Sequence, residues 1–175
     1  MRWRAKPLRH AVSRELQDWL TDPGSLTARL QARGRFAVHL LRQTMDRPTA
    51  DEAAALALAP RIRVQVREVA LHCDGESLVF AHTVLPRLPR GPFNRWLARL
   101  GERSLGALLF AHPGFARGPL TCCRITPRHP LYARAVACLE LAVPPRELWA
   151  RRSSFAFAAQ RVLVTEIFHP VLARA

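Results

Sequence analysis

Long apolar runs are missing from this 175-residue chain: no stretch approaches the roughly twenty apolar residues needed to cross a bilayer, which argues against a helical membrane span. The basic residues between Met1 and Val12 are followed by no apolar run of signal-peptide length, so the expected compartment is the cytoplasm. Four cysteines occur, Cys73, Cys122, Cys123 and Cys138, without a C-x-x-C pair, and none of the seven histidines falls in an H-E-x-x-H pattern. Neither a disulfide framework nor a recognisable metal site is therefore indicated, and buried, reduced thiols are expected. Lysine is nearly absent as well, since Lys6 is the only one among 27 basic residues. The arginines form no dense tract, and no aromatic platform or groove-reading motif accompanies them. The net charge of +14 thus fits a solvated basic surface, able to steer a small anion, better than a nucleic-acid interface.

What is present is the composition of a folded protein, 49% hydrophobic and 23% charged, at a length that suits one domain spanning 1–175. Ser13 can cap a short helix carrying Leu16, Trp19 and Leu20 on one face, broken by Asp22, Pro23 and Gly24. Ser25 can cap a second helix, with Leu26 and Leu30 on one face and Gly34 as its stop. Residues 35–43 alternate as a strand, and 48–60 read as a loop with an Ala-rich helical turn. In 62–85, Ile62, Val64 and Val66 are even while Val69, Leu71 and Cys73 are odd, so apolar parity switches across Arg67 and Glu68. A β-bulge and a strand buried on both faces account for this equally well. Asp74-Gly75 is a two-residue hairpin signal that returns the chain along 78–85.

Phe93, Trp96, Leu97 and Leu100 recur at helical spacing up to Gly101, and Ser104 can cap a further turn through Leu105, Leu108 and Leu109. Residues 120–126 and 133–143 are predicted as strands. Arg151 to Phe157 and Val162 to Phe168 form a last hairpin, turning at Ala159 and Gln160. The sum is α+β: a single antiparallel β-sheet with helical hairpins laid over it.

Two polar side chains interrupt this pattern. Glu166 sits in a strand apolar on both faces, Val162-Leu163-Val164-Thr165-Glu166-Ile167-Phe168, and Arg67 sits where parity breaks in another. A buried charge must meet an opposite charge, a hydrogen-bonding partner or a ligand, so an ordinary ion pair and a binding site are both open for these residues.

Asp18-Trp19-Leu20 followed by Gly24-Ser25-Leu26-Thr27 resembles the amino-terminal signature of the chorismate pyruvate-lyases. Further segments agree in order: Val66-Arg67-Glu68-Val69 with Asp74-Gly75-Glu76 and Thr83-Val84-Leu85-Pro86; Leu100-Gly101, Leu105-Gly106 and Phe110; Trp149 to Ser153; and Thr165 to Pro170. The resemblance implies an antiparallel sheet with helical flaps covering a buried pocket. It further implies conversion of chorismate to 4-hydroxybenzoate and pyruvate without metal or nucleotide, the first committed step towards ubiquinone, by a monomer that needs no nucleic acid or membrane. Carried over, Arg67 grips the ring carboxylate, Glu166 meets the 4-hydroxyl, and Leu26 and Leu105 line the site, partly through backbone groups. A guanidinium fork matches a carboxylate in two hydrogen bonds, which suits that assignment. Arg151 and Arg152 are adjacent in a strand, so at most one of them reaches the enolpyruvyl carboxylate.

The chain departs from the family pattern at His82, where an arginine is common, which alters the expected grip on the second carboxylate. Residues 113–145 match poorly. The competing expectation is a non-catalytic, aromatic-acid-binding module of the same fold, the effector-sensing domain of some transcription regulators.

Overall fold

A computed structural model describes residues 2–7, 12–59, 61–86, 100–111, 114–157 and 160–174. Helix α1 (Arg14–Thr21) starts at Ser13, whose hydroxyl accepts from the Leu16 amide, and α2 (Leu26–Arg33) starts at Ser25 in the same way. Strand β1 (Phe36–Asp46) leads to α3 (Ala50–Ala55), which opens with a reciprocal capping box between Thr49 and Glu52. Strands β2 (Val64–Cys73) and β3 (Glu76–Pro86) join through Asp74 and Gly75, both with positive φ (52° and 88°). Two successive left-handed residues match the twist of a two-residue hairpin, which explains the Asp-Gly pair.

After α4 (Leu105–Ala111) come the short β4 (Ala116–Arg117) and β5 (Thr121–Ile125), then α5 (Tyr132–Cys138), β6 (Leu148–Phe157), β7 (Gln160–Phe168) and a 3-10 turn over Pro170–Ala173. All strands pair antiparallel in one sheet, ordered β1-β2-β3-β7-β6-β4, with β5 also pairing with β6. The α+β reading from sequence describes this architecture.

Several expectations need correction. The segment predicted as a strand over 133–143 is helical over Tyr132–Cys138, where Leu131, Ala135 and Leu139 fall on one buried face four residues apart. The parity break in β2 is no bulge at Arg67 and Glu68, because both keep register with Thr83 and His82 of β3. The strand is instead buried on both faces, and the register shift against β1 lies on β1 between Leu40 and Arg42. Gln160 is paired with Phe157 and begins β7, so it is no turn residue. The helix expected around Phe93, Trp96 and Leu97, and the turn position Ala159, lie outside the described residues.

Two layers of apolar side chains explain why both faces are buried. On the front face Leu16, Trp19, Leu20, Leu26 and Leu30 from α1 and α2 pack on Val69, Leu71, Ala81 and Phe168. Leu105 and Leu109 of α4 join Phe155, Val162 and Val164 on the same side. On the back face Leu131, Tyr132, Ala135 and Leu139 around α5 cover Phe80, Ala150 and Ile167, while Leu56 after α3 covers Val64, Val66 and Val84. Burial of such side chains, each contributing about 1.5–3 kcal/mol, fixes which strand residues face which helices.

Candidate active site

Register across the central strands lines up side chains in rows on the front face. Arg67 pairs with Thr83, Thr83 with Val164, and Val164 with Ser153; the adjacent row runs Val69, Ala81, Glu166, Arg151. Under α2 and the start of α4 these rows floor a narrow cavity of about 30 Å³. Thr27, Ser104, Leu105 and Gly106 form its roof, and Arg67, Thr83, Val164 and Glu166 lie in its floor. The two roof elements touch: Thr27 Oγ1 lies 2.6 Å from Ser104 Oγ.

Arg67 is 2% exposed. It donates to Gln43 Oε1 at 2.9 Å and to the carbonyls of Gly101 and Arg103 at 2.7 and 3.2 Å. Gly101, at φ 54°, makes the left-handed turn that aims these carbonyls at the guanidinium. All three acceptors are neutral, and among the described residues no carboxylate pairs with Arg67. Burial accordingly pushes its pKa below the ordinary arginine value. A buried cation surrounded only by neutral acceptors lacks the opposite charge that would offset its desolvation.

Glu166 approaches from β7, two strands away. Its Oε2 accepts from Arg151 Nε at 2.5 Å, and Oε1 has no partner among the described residues. Arg151 is itself 1% exposed and also donates to the Trp19 and Asp22 carbonyls at 3.0 and 3.2 Å, where α1 ends. The carboxylate is thus anchored at one oxygen and open at the other. Arg67 and Glu166 share one cavity without bonding to each other, so the direct ion pair left open by sequence does not form between them. Arg151 and Arg152 diverge, as adjacent strand residues must. Arg152 reaches Thr165 and Asp51 on the back face.

Of the two leucines, Leu105 lines the cavity, whereas the Leu26 side chain belongs to the front core and Thr27 takes the roof position beside it. Arg151 faces Glu166 across the last hairpin. Its cross-strand position opposite Glu166 becomes visible only once the last hairpin is put in register.

His82 corrects another expectation. It faces away from the cavity, 3% exposed, with Nδ1 at 2.9 Å from Glu68 Oε1 and Nε2 at 3.1 Å from Glu52 Oε1. Arg134 also binds Glu68 at 2.7 Å. The position therefore serves a buried charge cluster joining α3, β2, β3 and α5, and grips nothing in the cavity. Burial opposes charge on His82, but the two glutamates outweigh it and raise its pKa above 6.5; burial likewise opposes ionisation of Glu52 and Glu68, but His82 outweighs it and lowers theirs below 4.5. The raised histidine contributes stability that is complete below its unfolded value and is lost as pH rises through its folded one. The depressed glutamates contribute above their unfolded value and lose that contribution as pH falls through the folded ones. The melting temperature is therefore expected to be highest between about pH 5 and 6.5 and to fall by several degrees on the alkaline side. In a thermal-melt series against pH, His82→Gln should flatten that alkaline limb; an unchanged limb would refute the assignment.

Comparison with known proteins adds to this geometry. The family model described as chorismate lyase matches residues 2–174. A probable chorismate pyruvate-lyase of Dechloromonas aromatica is 50% identical over 158 residues, covering 90% of this chain and 88% of that protein. One of Methylobacillus flagellatus is 44% identical, covering 93% and 92%. Among solved structures, the effector domain of PhnF from Mycobacterium smegmatis superposes with a TM-score of 0.61 at 20% identity, covering 85% of this chain and 90% of that one. At that identity the likeness is one of fold alone.

Proposed function

Because the chain belongs to the chorismate lyase family, we propose that it cleaves chorismate to 4-hydroxybenzoate and pyruvate in the cavity between Arg67 and Glu166. The proposal places it in the cytoplasm, as a monomer, at the first committed step towards ubiquinone. The observation that carries the reading is the buried Arg67 guanidinium, without a carboxylate partner among the described residues, set in the same cavity as a carboxylate with one oxygen open among them.

Chorismate is a cyclohexadiene with a carboxylate at C1, an enolpyruvyl ether at C3 and a hydroxyl at C4. Arg67 takes the ring carboxylate, and Glu166 Oε1 accepts from the 4-hydroxyl while Arg151 holds Oε2. Leu105 packs on the ring from the roof. Leu26, whose side chain is committed to the core, contributes through the backbone at the start of α2, where helix amides lack intrahelical partners. In the reaction the C3–O bond breaks, the C4 proton leaves, and the ring becomes benzenoid. The released enolpyruvate takes a proton at its methylene carbon to give pyruvate. Aromatisation supplies the driving force, so the protein needs to fix the ring and stabilise charge on the departing oxygen. A net charge of +14 attracts the dianionic substrate at long range.

The test is incubation of purified protein with chorismate, following 4-hydroxybenzoate by absorbance and pyruvate by a coupled assay. Equal amounts of both products are expected. A folded protein that binds 4-hydroxybenzoate but releases neither product would identify a binding module instead.

A further inference from the structure

Chorismate carries two carboxylates, and the cavity floor accounts for one. The second belongs to the enolpyruvyl group at C3, next to C4, so it lies at the Glu166 end. The cations nearest that end are differently committed. Arg151 is spent on Glu166 and two carbonyls, and Arg152 is on the other face. Arg29 stacks on Trp19 and bonds Asp22 and the Asp18 carbonyl.

Arg117 of β4 differs from all of these. Its guanidinium donates to the Pro23 carbonyl at 2.5 Å, in the turn between α1 and α2, and to Ser153 Oγ at 3.5 Å. It lies 4.9 Å from the Phe110 ring centroid and 5.6 Å from that of Phe155. Its Nε is buried and makes no hydrogen bond, and no carboxylate pairs with it among the described residues. Ser153 is the end of the row that begins at Arg67, across Thr83 and Val164. Two guanidiniums without acidic partners among the described residues therefore stand at the two ends of one row, Arg67 beginning it and Arg117 bonding its last residue, Ser153, and the row spans three strand spacings or roughly 15 Å at the backbone. Val164 of the row and Glu166 of the adjacent row, both in the cavity floor, lie between the two arginines. Burial lowers the pKa of Arg117 and the nearby Arg151 lowers it further, against the opposing charges of Glu166 and Asp22. An incoming anion relieves that electrostatic disadvantage.

We infer that Arg117 binds the enolpyruvyl carboxylate of chorismate and stabilises the enolate oxygen released when the C3–O bond breaks. The inference rests on the chorismate-cleaving reading above. Because 4-hydroxybenzoate lacks that carboxylate, the role separates substrate from product, which a purely structural arginine would not do.

The experiment uses the full chain and the variants Arg117→Gln, Arg117→Lys and Arg117→Ala. Steady-state kinetics with chorismate are set against the Kd for 4-hydroxybenzoate measured by calorimetry. For Arg117→Gln, kcat/KM is expected to fall about 30- to 300-fold, with KM raised, while the Kd for 4-hydroxybenzoate moves less than threefold. Arg117→Lys should recover part of the loss, as a point charge does at a site built for a fork. An unchanged kcat/KM, or parallel loss of chorismate turnover and 4-hydroxybenzoate affinity, overturns the assignment. Should Arg117→Ala fail to fold, Arg117→Gln, which keeps a donor near Ser153, carries the comparison alone. Wild-type protein that forms no product is a different outcome, defeating the lyase reading itself.

Discussion

Arg67→Met is expected to reduce kcat/KM for chorismate about 10²- to 10³-fold and to abolish measurable affinity for 4-hydroxybenzoate, without lowering the melting temperature of the unliganded protein. The two halves of this result have one cause. A buried guanidinium that meets an incoming carboxylate supplies a charge-assisted, two-pronged contact, and loss of one member of such a pair costs about 3–5 kcal/mol. Without ligand, the same guanidinium is held only by Gln43 and two carbonyls, so its burial opposes folding. Methionine fills the volume and removes the charge, while the freed carbonyls belong to exposed residues and can turn to water. Parallel kinetics, calorimetry and thermal melts decide the matter. Turnover within threefold of wild type would remove Arg67 from the site, and a melting temperature lower by 10 °C would make it a structural residue.

Arg151→Ala should behave in the opposite way, losing about 3–5 kcal/mol of stability together with activity. Arg151 is 1% exposed and joins three parts of the molecule: Glu166 on β7, its own strand β6, and the carbonyl end of α1 through Trp19 and Asp22. Alanine leaves the Glu166 charge without its partner and two carbonyls without a donor. For a chain of this length the melting temperature falls by about 10 °C, taking about 2–4 °C per kcal/mol. Glu166 also loses the bond that fixes its open oxygen, so catalysis declines beyond the effect of unfolding. The double variant Arg151→Ala with Glu166→Gln should recover part of the stability and none of the activity, because neutralising the stranded carboxylate repairs only the electrostatic fault. Stability losses that simply add would show that the two side chains act independently.

Local structure was legible wherever a single residue dictates it. Ser13 and Ser25 as caps and the Asp74-Gly75 turn each depend on chemistry within four residues. The Thr49-x-x-Glu52 capping box is an equally local signal for the start of α3. The helix at Tyr132–Cys138 was misread because its Ala- and Val-rich run is apolar at odd, even and helical spacings alike, so periodicity could not arbitrate. At the site, the parity break marked Arg67 and Glu68 as unusual but could not say that each serves a different face. Glu68 finds His82 and Arg134, 14 and 66 residues away, and no spacing rule anticipates such partners. Arg117 gave no signal at all: a two-residue strand in a Pro- and Gly-rich segment has no period to interrupt.

The seam between β3 and β7 has a consequence for refolding. One arginine pole of the cavity stands on the β2–β3 hairpin and the carboxylate pole on the β6–β7 hairpin, each a local structure able to form early. The hairpins meet through pairs such as Val79 with Phe168, nearly ninety residues apart, whose loop closure is the slow, entropically costly kind. On the proposed assignment of Arg67 and Glu166, neither hairpin alone holds the substrate. Recovery of turnover after dilution from denaturant therefore follows closure of this seam and lags the return of strand signal, making the chain's own catalysis a clock for its most distant contact.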